Sequence, residues 1–182
     1  MNKQYEMVRK FHTACGIEMP SKPTMLDNGG GYTAENFSLE LDKISNHMKS
    51  TASHYFGGQI LPRVAYMVEE LAELLTAKTI EDQADALADL IYFALGTYTL
   101  MAVKPEKIID IVALANLGKI MPDGSVLRDD TGKIKKPAGW TEAYAPEGKI
   151  KVEIYRQMKV AECTTCNGTK QPVYGLECPS CS

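Results

Sequence analysis

The chain has 182 residues, 45% of them hydrophobic and 24% charged, with a formal net charge of −3. That length suits one domain of ordinary size with an appendage, and the apolar share is enough for a real core. The near-neutral charge, without a basic arm, gives no case for a strong duplex nucleic-acid binder, and no apolar run reaches the roughly 20 residues that span a bilayer. The first residues, MNKQYEMVRKFH, have no signal-peptide core, so a soluble, cytoplasmic protein without a membrane partner is expected.

In chain order, a short helix is predicted over residues 3–15, then a loop or arm over 16–32 carrying two prolines and a glycine run. A second helix is predicted over 34–56, ended by Gly57 and Gly58. In ILPRVAYMVEELAELLTAKT, Pro62 stands near the first turn, where a missing N–H costs little. Val64, Met67, Val68, Leu71, Leu74 and Leu75 share one face, as in an amphipathic helix. Thr79 and Asp82 have the spacing of a capping box, opening a helix that runs to about residue 103. Another follows Lys104-Pro105 and runs to about residue 117. Short loops between long helices make neighbours antiparallel, so the middle of the chain reads as a helical bundle. After it, KIMPDGSVLRDDTGKIKKP alternates β-prone runs with Asp-Gly and Thr-Gly turns and predicts a short β-hairpin. Residues 138–160 fit either a strand or a helix.

Acidic residues form two stripes. Asp85 and Asp89 sit one helical turn apart, with Asp82 beside them, while Leu87, Leu90, Ile91 and Ala94 lie opposite. On the preceding helix, Glu70 borders the apolar face, Glu73 lies about 60° further round, and Glu69 points more outward. Either stripe alone is usually a solvated face. Two stripes on helices joined by a tight loop can face each other, and carboxylates meeting that way repel unless hard cations neutralise them; all-oxygen ligation then selects Mg²⁺ or Mn²⁺. A di-iron bundle is excluded because it needs Glu-x-x-His pairs, and His12, His47 and His54 lie on other segments.

EELAE over residues 69–73, followed by Asp89 before two apolar residues and an aromatic, resembles the all-α nucleoside triphosphate pyrophosphohydrolases. That group includes MazG-like enzymes, dimeric dUTPases and phosphoribosyl-ATP pyrophosphohydrolase. The family pattern places an acid three residues before the Asp; here that position is Ala86 and the acid is Asp85, an i,i+4 spacing that stays on one face. DALADLIY, GTY, ALANLGKI, DGSV and GKIKKPAGW are similar to a phage and bacterial MazG-like subgroup over about residues 10–140. Residues 24–58 read as an insertion in a helical domain spanning 1–150.

The resemblance implies hydrolysis of a nucleoside triphosphate between its α and β phosphates, giving monophosphate and pyrophosphate. Glu70, Glu73, Asp85 and Asp89 would hold Mg²⁺, Glu69 is the candidate general base, and Asn116 and Lys119 would reach base, sugar or phosphate. Lys133, with Lys135 and Lys136, is a second-line phosphate contact. Related bundles build their sites across subunits, which implies a homo-oligomer, dimer or tetramer. A degenerate bundle that senses a nucleotide without hydrolysing it is the alternative, kept open by the Asp85 shift.

In residues 160–182, Cys163-x-x-Cys166 and Cys178-x-x-Cys181 have the spacing of a tetrahedral structural Zn²⁺ site, a small zinc ribbon. Whether the ribbon would contact nucleic acid, a partner or its own bundle stays open. The fold expected is thus all-α, an antiparallel MazG-like bundle followed by a hairpin and a zinc ribbon.

Overall fold

In the computed structural model, which describes residues 1–29, 31–54 and 58–161, the regular elements are helices. They are α1 (Asn2–Ala14), α2 (Gly31–His54), α3 (Ile60–Thr76), α4 (Ile80–Leu100), α5 (Glu106–Leu117), α6 (Trp140–Tyr144) and α7 (Pro146–Ala161). No helix among them is long and apolar enough to cross a membrane. The described chain groups into two units, one from Pro20–Ala102 and one from Met1–Met19 with the residues from 103 onward.

The Pro20–Ala102 unit is an antiparallel arrangement in which α2 and α4 each pack on α3. Apart from Glu70 and Gln83, its buried side chains are small: Ala34, Ser38 and Ser45 on α2, Ala65 and Ala72 on α3, Ala77 just after it, and Ala86 on α4. Small residues at helical spacing let α2 approach α3 closely enough for side-chain to main-chain bonding. Ser38 Oγ donates to the Ala72 carbonyl at 3.0 Å and Ser45 Oγ to the Ala65 carbonyl at 2.9 Å. Two serines seven residues apart thus read two carbonyls seven residues apart. Residues 24–58, read from sequence as an insertion, supply this helix. Ser45→Leu should therefore cost about 1–3 kcal/mol by overpacking, whereas Ser45→Ala should cost about 1 kcal/mol, the value of one hydrogen bond. Urea melts of both check this, and equal effects would deny the close approach.

The Thr79–Asp82 capping box forms as the sequence predicts. Asp82 N–H donates to Thr79 Oγ1 at 3.1 Å, and Thr79 N–H donates to Asp82 Oδ2 at 3.1 Å. The apolar stripe of α3, by contrast, is not its buried face. Ala65, Glu70 and Ala72 are buried, while Leu71 is 39% exposed; on α4, Leu87 and Ile91 are also exposed. α2 docks on the small residues of α3, and the leucines are left partly uncovered.

In the other unit, α5 packs against α1 and α7. Lys3 and Gln4 both donate to the Asp110 carboxylate, at 2.5 and 2.8 Å. Gln157 of α7 brackets Lys104, accepting its N–H and donating to its carbonyl. The ambiguous residues 138–160 are helical, split by Pro146 into α6 and α7.

The predicted β-hairpin is not a strand pair. The described residues there hold two isolated antiparallel bridges, Ile120 with Val126 and Arg128 with Ile134. Cross-chain backbone bonds flank the bridges, from Lys135 N–H to the Leu127 carbonyl at 2.8 Å and from Asp129 N–H to the Lys133 carbonyl at 2.9 Å. The turns are tightened by Asp129 Oδ1, which accepts the N–H groups of Thr131 and Lys133, and by Asp123 Oδ1, which accepts that of Ser125. The cysteine tail, and with it the expected zinc ribbon, lies outside the described residues.

Candidate active site

Side-chain contacts fix how α3 and α4 are aligned. The Tyr66 and Phe93 rings stack with centroids 5.2 Å apart, and Arg63 donates from Nη2 to the Phe93 carbonyl at 2.7 Å. In an antiparallel pair, the register that sets Tyr66 against Phe93 sets Glu70 against Asp89, four residues on from each. Glu73 and Asp85 then follow toward the α3–α4 loop. There Glu73, Asp82 and Asp85 line an open cleft of about 300 Å³ together with Thr76, Ala77 and Lys78.

Glu70 is the unusual member. It is only 7% exposed, and among the described residues it has neither an ion pair nor a side-chain hydrogen bond. Burial raises its pKa above the ordinary value of 4.5, and the charges of Glu73, Asp89, Glu69 and Asp85 raise it further. The other four predicted acidic residues are therefore within electrostatic reach of Glu70. Among the described residues no three such groups meet closely enough to hold an ion as they stand. Carboxylates that raise each other's pKa are nevertheless the donor set that a hard divalent cation fits: its charge removes the repulsion and its ligands are all oxygen.

The folded protein binds the Glu70 proton more tightly than the unfolded chain, so the contribution of Glu70 to stability falls as pH rises through the window above 4.5 and is regained on acidification through it. Melts in chelator should show this slope reduced in Glu70→Gln; an unchanged slope would assign the loss of stability with rising pH to other groups.

Asp85 departs from the family spacing for a legible reason. Ala86 is 4% exposed, in the small-residue seam of α4, while Asp85 is exposed and lines the cleft. A carboxylate at position 86 would be in the helix interface; at 85 it is in the opening.

One carboxylate oxygen of Glu69 is held toward α2. This Oε2 accepts from Lys49 Nζ at 2.5 Å, and that ammonium also stands 5.3 Å from the Tyr66 ring centre. Lys49 and Arg63 have no role in the sequence reading. Lys49 belongs to the stretch taken as an insertion, and a lone arginine after a helix-opening proline carries no motif. Asn116, Lys119 and Lys133 belong to the other unit. Lys119 Nζ donates to Asn116 Oδ1 at 2.8 Å, so that pair is brought together, and Asn116 lines a cavity of about 230 Å³ with Met7, Val8, Phe11 and Ala113. Lys133 is exposed on the turn held by Asp129.

The family described as phosphoribosyl-ATP pyrophosphohydrolase matches residues 9–116, more than half of the chain. The chain belongs to the phosphoribosyl-ATP pyrophosphohydrolase family. The match runs from α1 to the end of α5 and contains every acidic residue of the site. A similar solved structure is the crystal structure of a provisionally named NTP pyrophosphohydrolase from Exiguobacterium sp. 255-15. It has a TM-score of 0.55 and 24% identity, covering 86% of this chain and 96% of the other. At that identity the likeness supports the fold that phosphoribosyl-ATP pyrophosphohydrolase family members share, a helical one. No curated protein matches the chain.

Proposed function

We propose that this protein is an Mg²⁺- or Mn²⁺-dependent nucleoside triphosphate pyrophosphohydrolase, cleaving between the α and β phosphates to yield monophosphate and pyrophosphate. The observation that carries the reading is Glu70, buried without a cation partner and in reach of Glu69, Glu73, Asp85 and Asp89. Glu70, Glu73, Asp85 and Asp89 hold the ion. When bound, it neutralises phosphate charge and lowers the pKa of its water. Glu69 accepts the proton of the attacking water at Oε1, the oxygen that Lys49 leaves free. The same proposal gives Asn116, Lys119 and Lys133 contacts with the nucleotide.

A panel of nucleoside and deoxynucleoside triphosphates, with phosphoribosyl-ATP included because it names the family, tests the reading. Monophosphate and pyrophosphate should appear together, only with Mg²⁺ or Mn²⁺. Diphosphate and phosphate instead, or binding without turnover, would overturn it, the latter in favour of a nucleotide sensor.

Two further assignments belong to this proposal. The exposed Leu71, Leu87 and Ile91 support a homo-oligomer that covers them, and sedimentation of a monomer at micromolar concentration would contradict it. Cys163, Cys166, Cys178 and Cys181 are assigned to one structural Zn²⁺, since four thiolates close a tetrahedral shell. Elemental analysis should find about one zinc per chain and none in the Cys178→Ser, Cys181→Ser double variant.

A further inference from the structure

Three residues beyond Tyr66 toward the start of α3, and three beyond Phe93 toward the end of α4, the same register sets Arg63 against Gly96. Arg63 is fastened there. Nη2 donates to the Phe93 carbonyl at 2.7 Å and Nε to Thr97 Oγ1 at 3.3 Å, and Thr97 Oγ1 itself donates to the Phe93 carbonyl at 2.9 Å. The guanidinium carbon stands 5.4 Å from the Phe93 ring centre and 6.0 Å from that of Tyr66. Gly96 makes this position possible: a Cβ there would lie 2.5 Å from Arg63 Nη2.

A guanidinium has five N–H donors, and the two bonds to α4 use two of them. Among the described residues no carboxylate pairs with Arg63. The charge is thus held in a fixed orientation, partly buried, with its remaining donors unassigned. Along α3 it stands seven residues from Glu70, about 10 Å on the same face. Arg63 and the carboxylates therefore share one face of α3, with the stacked Tyr66–Phe93 pair between a cation without a carboxylate partner and the acidic group. The planar fork of arginine matches the paired oxygens of a phosphate.

We propose that Arg63 is a substrate-binding residue that takes the β- and γ-phosphates, the part of the nucleoside triphosphate that leaves as pyrophosphate. This rests on the reading that the carboxylates hold the reacting end, and it adds the recognition of the leaving group. Cations at the carboxylates neutralise oxygens near the scissile bond, and Arg63 meets those at the far end. Gly96 serves as the seat of the guanidinium.

The test is calorimetric titration of the full chain with inorganic pyrophosphate in Mg²⁺, for wild type, Arg63→Gln, Arg63→Lys and Gly96→Ala. Gly96→Ala folds at little cost, because the atom displaced is the end of a flexible side chain. Pyrophosphate affinity should fall at least about 10-fold in Arg63→Gln and Gly96→Ala and less in Arg63→Lys, which keeps the charge without the fork. The melting shift produced by Mn²⁺ alone should stay as in wild type in all three. KM for a cleaved triphosphate should rise in parallel with the loss of pyrophosphate affinity.

Wild-type affinity in both Arg63→Gln and Gly96→Ala would reduce Arg63 to a clamp between helices and overturn the proposal, as would a wild type that does not bind pyrophosphate. Arg63-dependent pyrophosphate binding in a protein that cleaves no triphosphate would sink the hydrolase reading and leave this one standing. Normal cleavage with unaltered variants would do the reverse.

Discussion

Glu70→Gln is expected to raise the melting temperature of the metal-free protein while slowing nucleotide turnover by at least about 100-fold, the scale of removing one preorganised group from a charged reacting centre. The two effects have one cause. Burial and four neighbouring carboxylates make the ionised Glu70 unfavourable in the empty site, and an amide of the same shape removes that charge without opening a cavity. The ligand lost is the same charge that an ion requires. Mg²⁺ with nucleotide should therefore stabilise the wild type and leave Glu70→Gln nearly unmoved. A variant less stable than wild type in chelator, or one retaining turnover, would mean that Glu70 is a structural carboxylate with a partner of its own.

Trp140→Ala should have the largest effect on stability, about 3–5 kcal/mol, or roughly 6–20 °C in melting temperature for a chain of this size. Trp140 is 5% exposed, donates from Nε1 to the Ala115 carbonyl at 2.9 Å, and lies 4.3 Å beneath the Lys136 ammonium. It fixes the segment after α5 onto that helix. Nearby, a Cβ at Gly118 would clash with the Tyr144 ring, so α6 closes directly on the end of α5. Trp140→Phe keeps most of the ring and loses one hydrogen bond, which should cost only about 1 kcal/mol beyond the area lost. Equal destabilisation by Ala and Phe would show that the bond, not the buried ring, holds the segment.

The helices were legible because their signals are local. The Thr79–Asp82 box, Pro62 in a first turn and Pro105 before α5 each act within one turn of chain. Which face of a helix is buried is a property of its neighbours. Periodicity pointed to the leucine stripe of α3, yet α2 docks on Ala65 and Ala72, where its serines bond to the main-chain carbonyls, and α4 meets α3 through Tyr66 and Arg63. The hairpin signal gave the turns but not strands: the pairing stops at the isolated bridges Ile120–Val126 and Arg128–Ile134. In the site, the spacing placed Glu70 and Glu73 on α3 and Asp85 and Asp89 on α4 within electrostatic reach of Glu70, although among the described residues no three of them meet closely enough to hold an ion. The partner of Glu69 was not legible, because Lys49 comes from a helix with no motif, and neither was Arg63, whose position depends on the missing Cβ of Gly96.

The most direct measurement is anomalous diffraction from crystals grown with Mn²⁺ and a triphosphate analogue that resists cleavage between its α and β phosphates. Manganese density is predicted in the α3–α4 groove, bound by Glu70, Glu73, Asp85 and Asp89 and by oxygens of the analogue. Nucleotide bound with no manganese at these four carboxylates, or manganese bound elsewhere on the chain, would contradict the account.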